Sequence, residues 1–180
     1  MKEIEVKILN IDIANIEAKI KQLGGKKIAD DFLIDRVFDT PEGTLKHTKS
    51  LLRLRTNGTT SFLTFKNNAS IQNGIRTTDE YETAVDNADI MHTILTSLGY
   101  EQIRYREKKR ISYMLGNVRI EIDEYPTIPP YIELEGTEEN IPHTVTQLGF
   151  TMQETVPWTV TELLTHYKQD EDYQAFSGNK

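Results

Sequence analysis

The sequence predicts an α+β protein: an antiparallel β-barrel of about eight strands around a polar, charged lumen, with helices packed on the outside. Three observations predict it. Strand-like segments alternate apolar and charged residues with a period of two. Their connections are short, which suits antiparallel pairing. The polar positions repeatedly carry Glu, Asp, Lys and Arg, where an ordinary solvated face would be rich in Thr, Ser, Gln and Asn. Like charges recur at i and i+2 on one strand face and repel unless something of opposite sign sits between them. A single strand of this kind reads as a wet outer face. Strand after strand of it favours charged faces curled inward and apolar faces covered by helices. Unpartnered buried charge is costly, so such a lumen must be wet or ligand-filled. A polyanion would satisfy the bases and a divalent metal the acids, and metal-bound polyphosphate supplies both.

Each element follows in order. "EIEVKIL" splits into Glu3, Glu5 and Lys7 against Ile4, Val6 and Ile8. "NIDIANIEAKIKQLGG" reads as a helix with Asp12 as N-cap, an apolar stripe of Ile13, Ile16, Ile20 and Leu23, and a Gly24-Gly25 stop. The basic loop "TPEGTLKHTKS", with His47 between Lys46 and Lys49, either closes over a ligand or is a mobile surface loop. "LLRLRT" sets Arg53 and Arg55 against Leu52 and Leu54, "SFLTFK" ends in Lys66, and "DEYETAV" alternates Glu80 and Glu82 with Tyr81 and Thr83. "DNADIMHTILTSLGY" is a second helix, capped by Asp86 or Asn87 and stopped by Gly99. "EKKRISYML" pairs Lys108 with Arg110, "NVRIEIDEY" aligns Arg119, Glu121 and Asp123, and "YIELEG" aligns Glu133 and Glu135. "YPTIPPY" is a stiff turn between two of these strands. "TEENIPHTVTQLGF" is a third helix, weakened by Pro142, and "TVTELLTHY" a fourth, with Trp158 as a buried anchor before it. His92, His143 and His166 fall on helices and are given no chemistry.

Composition bounds the function. At 180 residues, 27% charged and 37% hydrophobic, the chain suits one globular domain, expected over residues 1–168 with a flexible polar tail over 169–180. A net charge of −7 argues against a broad nucleic-acid surface. No cysteine is present, which removes disulfides, thiolate zinc sites and cysteine nucleophiles and fits a reducing cytoplasm, the expected location. No apolar run is long enough for a membrane span or signal peptide. The oligomeric state is open, a dimer being compatible.

Glu3-Ile4-Glu5-Val6-Lys7 resembles the ExExK signature of the CYTH family, the triphosphate tunnel metalloenzymes. The likeness continues in order through "LLRLR", "LTFK", "EYE", the Lys-x-Arg of "KKR" with Tyr113 after it, "IEIDEY" and "YIELEG", about Met1 to Leu164. It implies an eight-stranded tunnel and a catalytic group of Glu3, Glu5, Lys7 and Asp123. It further implies Mg²⁺ or Mn²⁺ on Glu3, Glu5, Asp123, Glu133 and Glu135, and phosphate binding by Lys7, Arg53, Arg55, Lys66, Lys108 and Arg110. Glu80, Glu82 and Glu121 are implied as further tunnel acids. Pro157-Trp158-Thr159 departs from the Ser-Tyr that many relatives carry before the last helix.

The substrate implied is a small triphosphate: ATP, inorganic triphosphate or thiamine triphosphate. The compact length and the "DRVFDTPEGTLK" segment resemble the class IV adenylyl cyclase branch, which makes cyclic AMP and pyrophosphate from ATP. The alternatives are hydrolysis of a terminal phosphate and a non-catalytic polyphosphate-binding module. The many lumen acids count against the last, since binding phosphate alone needs bases.

Overall fold

The computed structural model describes residues 1–58 and 60–176. The barrel strands are β1 (Lys2–Ile8), β2 (Lys26–Asp39), β3 (Leu51–Asn57), β4 (Thr60–Gln72), β5 (Ile75–Val85), β6 (Glu101–Leu115), β7 (Val118–Glu124) and β8 (Tyr131–Glu135). Two short strands, β9 (Thr155–Val156) and β10 (Tyr173–Gln174), follow. The helices are α1 (Ile13–Gln22), α2 (Thr44–His47), α3 (Ala88–Ser97), α4 (Asn140–Gln147) and α5 (Val160–His166). Around the barrel the order is β1, β5, β4, β3, β2, β6, β7, β8, and β8 pairs back onto β1, so the antiparallel sheet closes. Closure gives each of these eight strands a partner on both sides over part of its length, which limits the free edges that invite aggregation.

The helices form where the caps and stripes place them. Asp12 accepts a hydrogen bond from Asn15 N–H at 2.8 Å, and Asn87 does the same for Ile90 N–H at 3.0 Å. The three Leu-Gly stops end α1, α3 and α4 with Gly24, Gly99 and Gly149 at φ of 86°, 92° and 91°, a conformation that only glycine takes without strain. Pro142 does not break α4, because it lies in the first turn, where no intrahelical N–H is needed. Asn73 and Gly74, at φ of 52° and 77°, form the two-residue turn that fixes the register of the β4–β5 hairpin.

The apolar faces point outward and lie under helices. Val6, Ile8, Ile120, Ile132 and Leu134 pack on Ile16 and Ile20 of α1 and on Ile141 and Val145 of α4. Phe38, Leu52 and Leu54 pack on Leu95 of α3. Leu163 and Leu164 of α5 pack on Tyr125, Ile128 and Tyr131, with Trp158 partly buried beside them. No helix among the described residues is long and apolar enough to cross a membrane.

The C-terminal segment differs from the flexible tail expected from residue 169. β10 pairs in parallel with the part of β6 that β7 does not reach, setting Tyr173 opposite Tyr105 and Gln174 opposite Arg106. Tyr173 stacks on Tyr105, Gln174 is buried, and Phe176 N–H donates to Glu107 at 2.9 Å. An open strand edge gives a polar segment backbone partners that its composition does not reveal. Residues 177–180 lie outside the described residues.

Candidate active site

The barrel encloses a cavity of about 1490 Å³. The period-two phase brings the sequence-predicted site residues to the cavity wall, except Asp123, which is fully buried behind it in phase with Glu121. Along the β1–β8 seam, Glu5 lies opposite Glu135 and Lys7 opposite Glu133. Along β7–β8, Glu121 lies opposite Glu133 and Asp123 opposite Tyr131. Strand β6 sets Arg110 opposite Asp123, and β3 sets Arg55 opposite Asp35.

These registers convert the expected like-charge repulsion into pairing. Arg55 forks onto Asp35, Nε to Oδ1 at 2.6 Å and Nη2 to Oδ2 at 2.8 Å. Arg110 grips Asp123 through Nε and Nη2, each at 2.6 Å, and also contacts Glu121. Asp123 further accepts from Lys108 Nζ at 2.8 Å and from Tyr131 O–H at 3.0 Å. Lys7 Nζ sits 2.7 Å from both Glu5 and Glu133. Lys66 contacts Glu3, and Glu80 at 3.0 Å. Arg53 Nη2 donates to Thr64 Oγ1 at 3.2 Å and lies 3.7 Å from Glu82, while its buried Nε has no partner.

The acids divide into two groups. Glu121, Glu133 and Glu135 bring carboxylate oxygens within 4.8 Å of one another. Oxygen-only donors at that spacing fit a hard divalent cation. Asp123 accepts from Lys108, Arg110 and Tyr131, and Glu3 pairs with Lys66, while Glu133 and Glu121 keep contacts to Lys7 and Arg110. Of the acids implied as metal ligands, Glu133 and Glu135 therefore lie together, with Glu121 beside them, while Asp123 lies among the bases.

Electrostatics follow this division. Burial, together with the charge of Glu133, pushes the Glu135 carboxyl up to about 8. Burial also raises Glu5 to about 7, against the pull of Lys7. Burial opposes ionisation of Glu133 as well, but Lys7, Arg110 and Lys108 outweigh it and hold that carboxyl well below the usual range. Lys108 is lowered to about 7 by burial and by Arg110, with Asp123 pulling the other way.

Several lumen residues were missed by the sequence reading. Asp35 pairs with Arg55, Arg76 Nε lies 3.5 Å from Glu5, and Arg104 Nε lies 3.1 Å from Asp172. Arg106 donates from Nε to the Glu171 carbonyl at 2.9 Å and from Nη2 to Thr161 Oγ1 at 3.0 Å. A signal existed for the arginines: Arg104 and Arg106 continue the phase of Lys108 and Arg110, and Arg76 that of Glu80 and Glu82.

The family model of the CYTH domain matches residues 1–157. The chain belongs to the CYTH family. Members of this family bind triphosphates in a tunnel and depend on metal. Similar solved structures include a candidate adenylate cyclase from Vibrio parahaemolyticus, at 18% identity and TM-score 0.80, covering 91% of this chain and 97% of that one. A protein from Pyrococcus horikoshii is 23% identical at TM-score 0.75, with 87% and 96% covered. A candidate adenylyl cyclase from Hippeastrum, with a dominant triphosphatase activity, is 18% identical at TM-score 0.64, with 99% and 92% covered. At these identities the likeness establishes a shared CYTH fold. No curated protein matches the chain.

Two outcomes are expected from this geometry. Arg55→Ala should destabilise the protein by about 3–5 kcal/mol, because it strands the buried Asp35 carboxylate. Replacing both partners with apolar residues should recover most of that loss in denaturant melts, and an Arg55→Ala variant as stable as wild type would contradict the pairing. Metal affinity should rise with pH between about 6 and 8, by about tenfold per unit for each proton displaced, because Glu135 must lose its proton to ligate. Calorimetric titration with Mn²⁺ reads this directly, and Glu135→Gln should flatten the profile.

Proposed function

We propose that this CYTH protein is a class IV adenylyl cyclase, converting ATP to cyclic AMP and pyrophosphate. The observation that carries the reading is the size and lining of the cavity. At about 1490 Å³ it exceeds the roughly 300–1,000 Å³ typical of small-ligand sites. Besides the charged residues it is lined by Leu33, Val37, Phe62 and Met114. Leu33 and Val37 are buried yet belong to none of the clusters that pack under helices. An apolar wall of this kind suits a nucleoside and is wasted on inorganic triphosphate alone.

In this reading Arg53, Arg55, Lys108 and Arg110 hold the phosphates and set the in-line geometry. Glu121, Glu133 and Glu135 would hold a divalent cation, Mg²⁺ or Mn²⁺, which would supply charge neutralisation at the phosphate oxygens. Glu5, titrating at about 7, takes the proton of the attacking 3′-hydroxyl, and Lys7 between Glu5 and Glu133 fixes that carboxylate in place. Asp123 keeps Lys108 and Arg110 aligned.

A second reading, hydrolysis of a terminal phosphate, is favoured by the dominant triphosphatase activity of the Hippeastrum neighbour. Glu5 would then take a proton from water. Product analysis separates the two. Purified protein with Mn²⁺ and ATP is expected to give cyclic AMP and pyrophosphate in equal amounts, and Glu5→Gln is expected to abolish turnover while keeping the fold. Orthophosphate as the main product would replace the cyclase with the triphosphatase, and turnover of neither ATP nor inorganic triphosphate would overturn both.

A further inference from the structure

We propose that the loop over residues 40–50 captures the incoming substrate at one mouth of the tunnel, Lys46 and Lys49 holding its outermost phosphate and Asp39 setting their position. This rests on the reading of the tunnel as a triphosphate site.

The loop is built rather than draped. Asp39 ends β2 and is only 3% exposed. Its carboxylate accepts three backbone N–H groups: Thr40 at 2.7 Å, Leu45 at 2.8 Å and Lys46 at 2.9 Å. Thr40 Oγ1 donates to Thr44 Oγ1 at 2.8 Å, and Thr48 Oγ1 donates to the Thr44 carbonyl at 3.0 Å. Leu45 is tucked against the cluster under α3. Lys49 stands at φ of 54°, a left-handed conformation that costs a side-chain-bearing residue and is kept only where surrounding contacts impose it. The result is a fixed turn that brings Lys46 and Lys49 to the cavity wall, next to Leu51 and Arg53.

Their exposure and their lack of ion pairs among the described residues set the two lysines apart from the deep bases. Arg55, Lys66, Lys108 and Arg110 are each engaged by an acid, so an anion entering the tunnel must displace an existing pair. Among the described residues no carboxylate oxygen lies within 4.0 Å of the Nζ of Lys46 or Lys49. Leu51 lies opposite Lys66 in the β3–β4 register, so the loop leads directly to that base. An arriving phosphate meets free cations first and exchanges inward from there. Such exposed charges raise local anion concentration and association rate, with a strong dependence on salt.

The test is calorimetric binding of inorganic triphosphate, ATP and orthophosphate with Mg²⁺ at two salt concentrations. The Lys46→Ala, Lys49→Ala double variant should bind triphosphate and ATP about five- to tenfold more weakly and with a shallower salt dependence, and Lys46→Arg with Lys49→Arg should restore binding. Asp39→Asn should weaken binding in the wild-type background but add nothing in the double alanine background, whereas a purely structural role would lower affinity equally in both. Wild type that binds triphosphate no more tightly than orthophosphate would remove the triphosphate reading itself. Wild type that binds triphosphate, with the double variant binding it equally well, would overturn the capture role alone. A loss confined to ATP would overturn it too, by assigning the loop to the nucleoside.

Discussion

Charge held inside a barrel must be matched, and the pairing of lumen acids with lumen bases is the constraint on which this fold depends. An isolated buried ion costs several kcal/mol even after relaxation. The barrel meets that cost by register: Arg55 on Asp35, Arg110 and Lys108 on Asp123, Lys7 between Glu5 and Glu133. Apart from Glu5 and Lys7, which share β1, each pair joins different strands, so a one-residue slip would turn a partner out of the lumen and leave its mate unpaired. The apolar outer faces under α1, α3 and α4 enforce the same phase from outside. Core packing and lumen electrostatics therefore specify one register between them.

That pairing also shapes function. The tunnel rests in a self-compensated state rather than as an open field of like charge. A polyphosphate gains little by entering if it only swaps one carboxylate for another. In the proposed reading, a cation that took Glu121, Glu133 and Glu135 would release Lys7 and Arg110 from part of their engagement and leave those groups available to phosphate. Metal and anion would thus be coupled through the acids and bases of the chain, each relieving the charge that the other leaves unpaired.

The inward charged faces were legible in the sequence because period two is a property of single strands. Glu3, Glu5, Lys7, Arg53, Arg55, Lys108, Arg110, Glu133 and Glu135 needed only their neighbours to be placed on the lumen side. Partners were not legible, because they are set by register between strands. The Asp35–Arg55 fork depends on the β2–β3 pairing, and β2 carries irregularities between Lys27 and Ala29 and between Val37 and Phe38 that no pattern announces. The same limit hid the grouping of Glu121 with Glu133 and Glu135. The segment from Asp170 to Phe176 was hidden for another reason: its backbone completes the edge of β6, and its polar composition reads as solvent-exposed.

Thermal unfolding across orthophosphate, pyrophosphate, inorganic triphosphate and ATP, with and without Mn²⁺ at matched ionic strength, tests the coupled-charge account most directly. A ligand at about a hundred times its dissociation constant adds roughly 2.7 kcal/mol, a rise of about 5–10 °C for a domain of this size. Triphosphate with Mn²⁺ is expected to raise the midpoint by more than the sum of the two separate shifts, and orthophosphate to leave it nearly unchanged. Shifts that follow ionic strength alone, without dependence on phosphate chain length or metal, would contradict it.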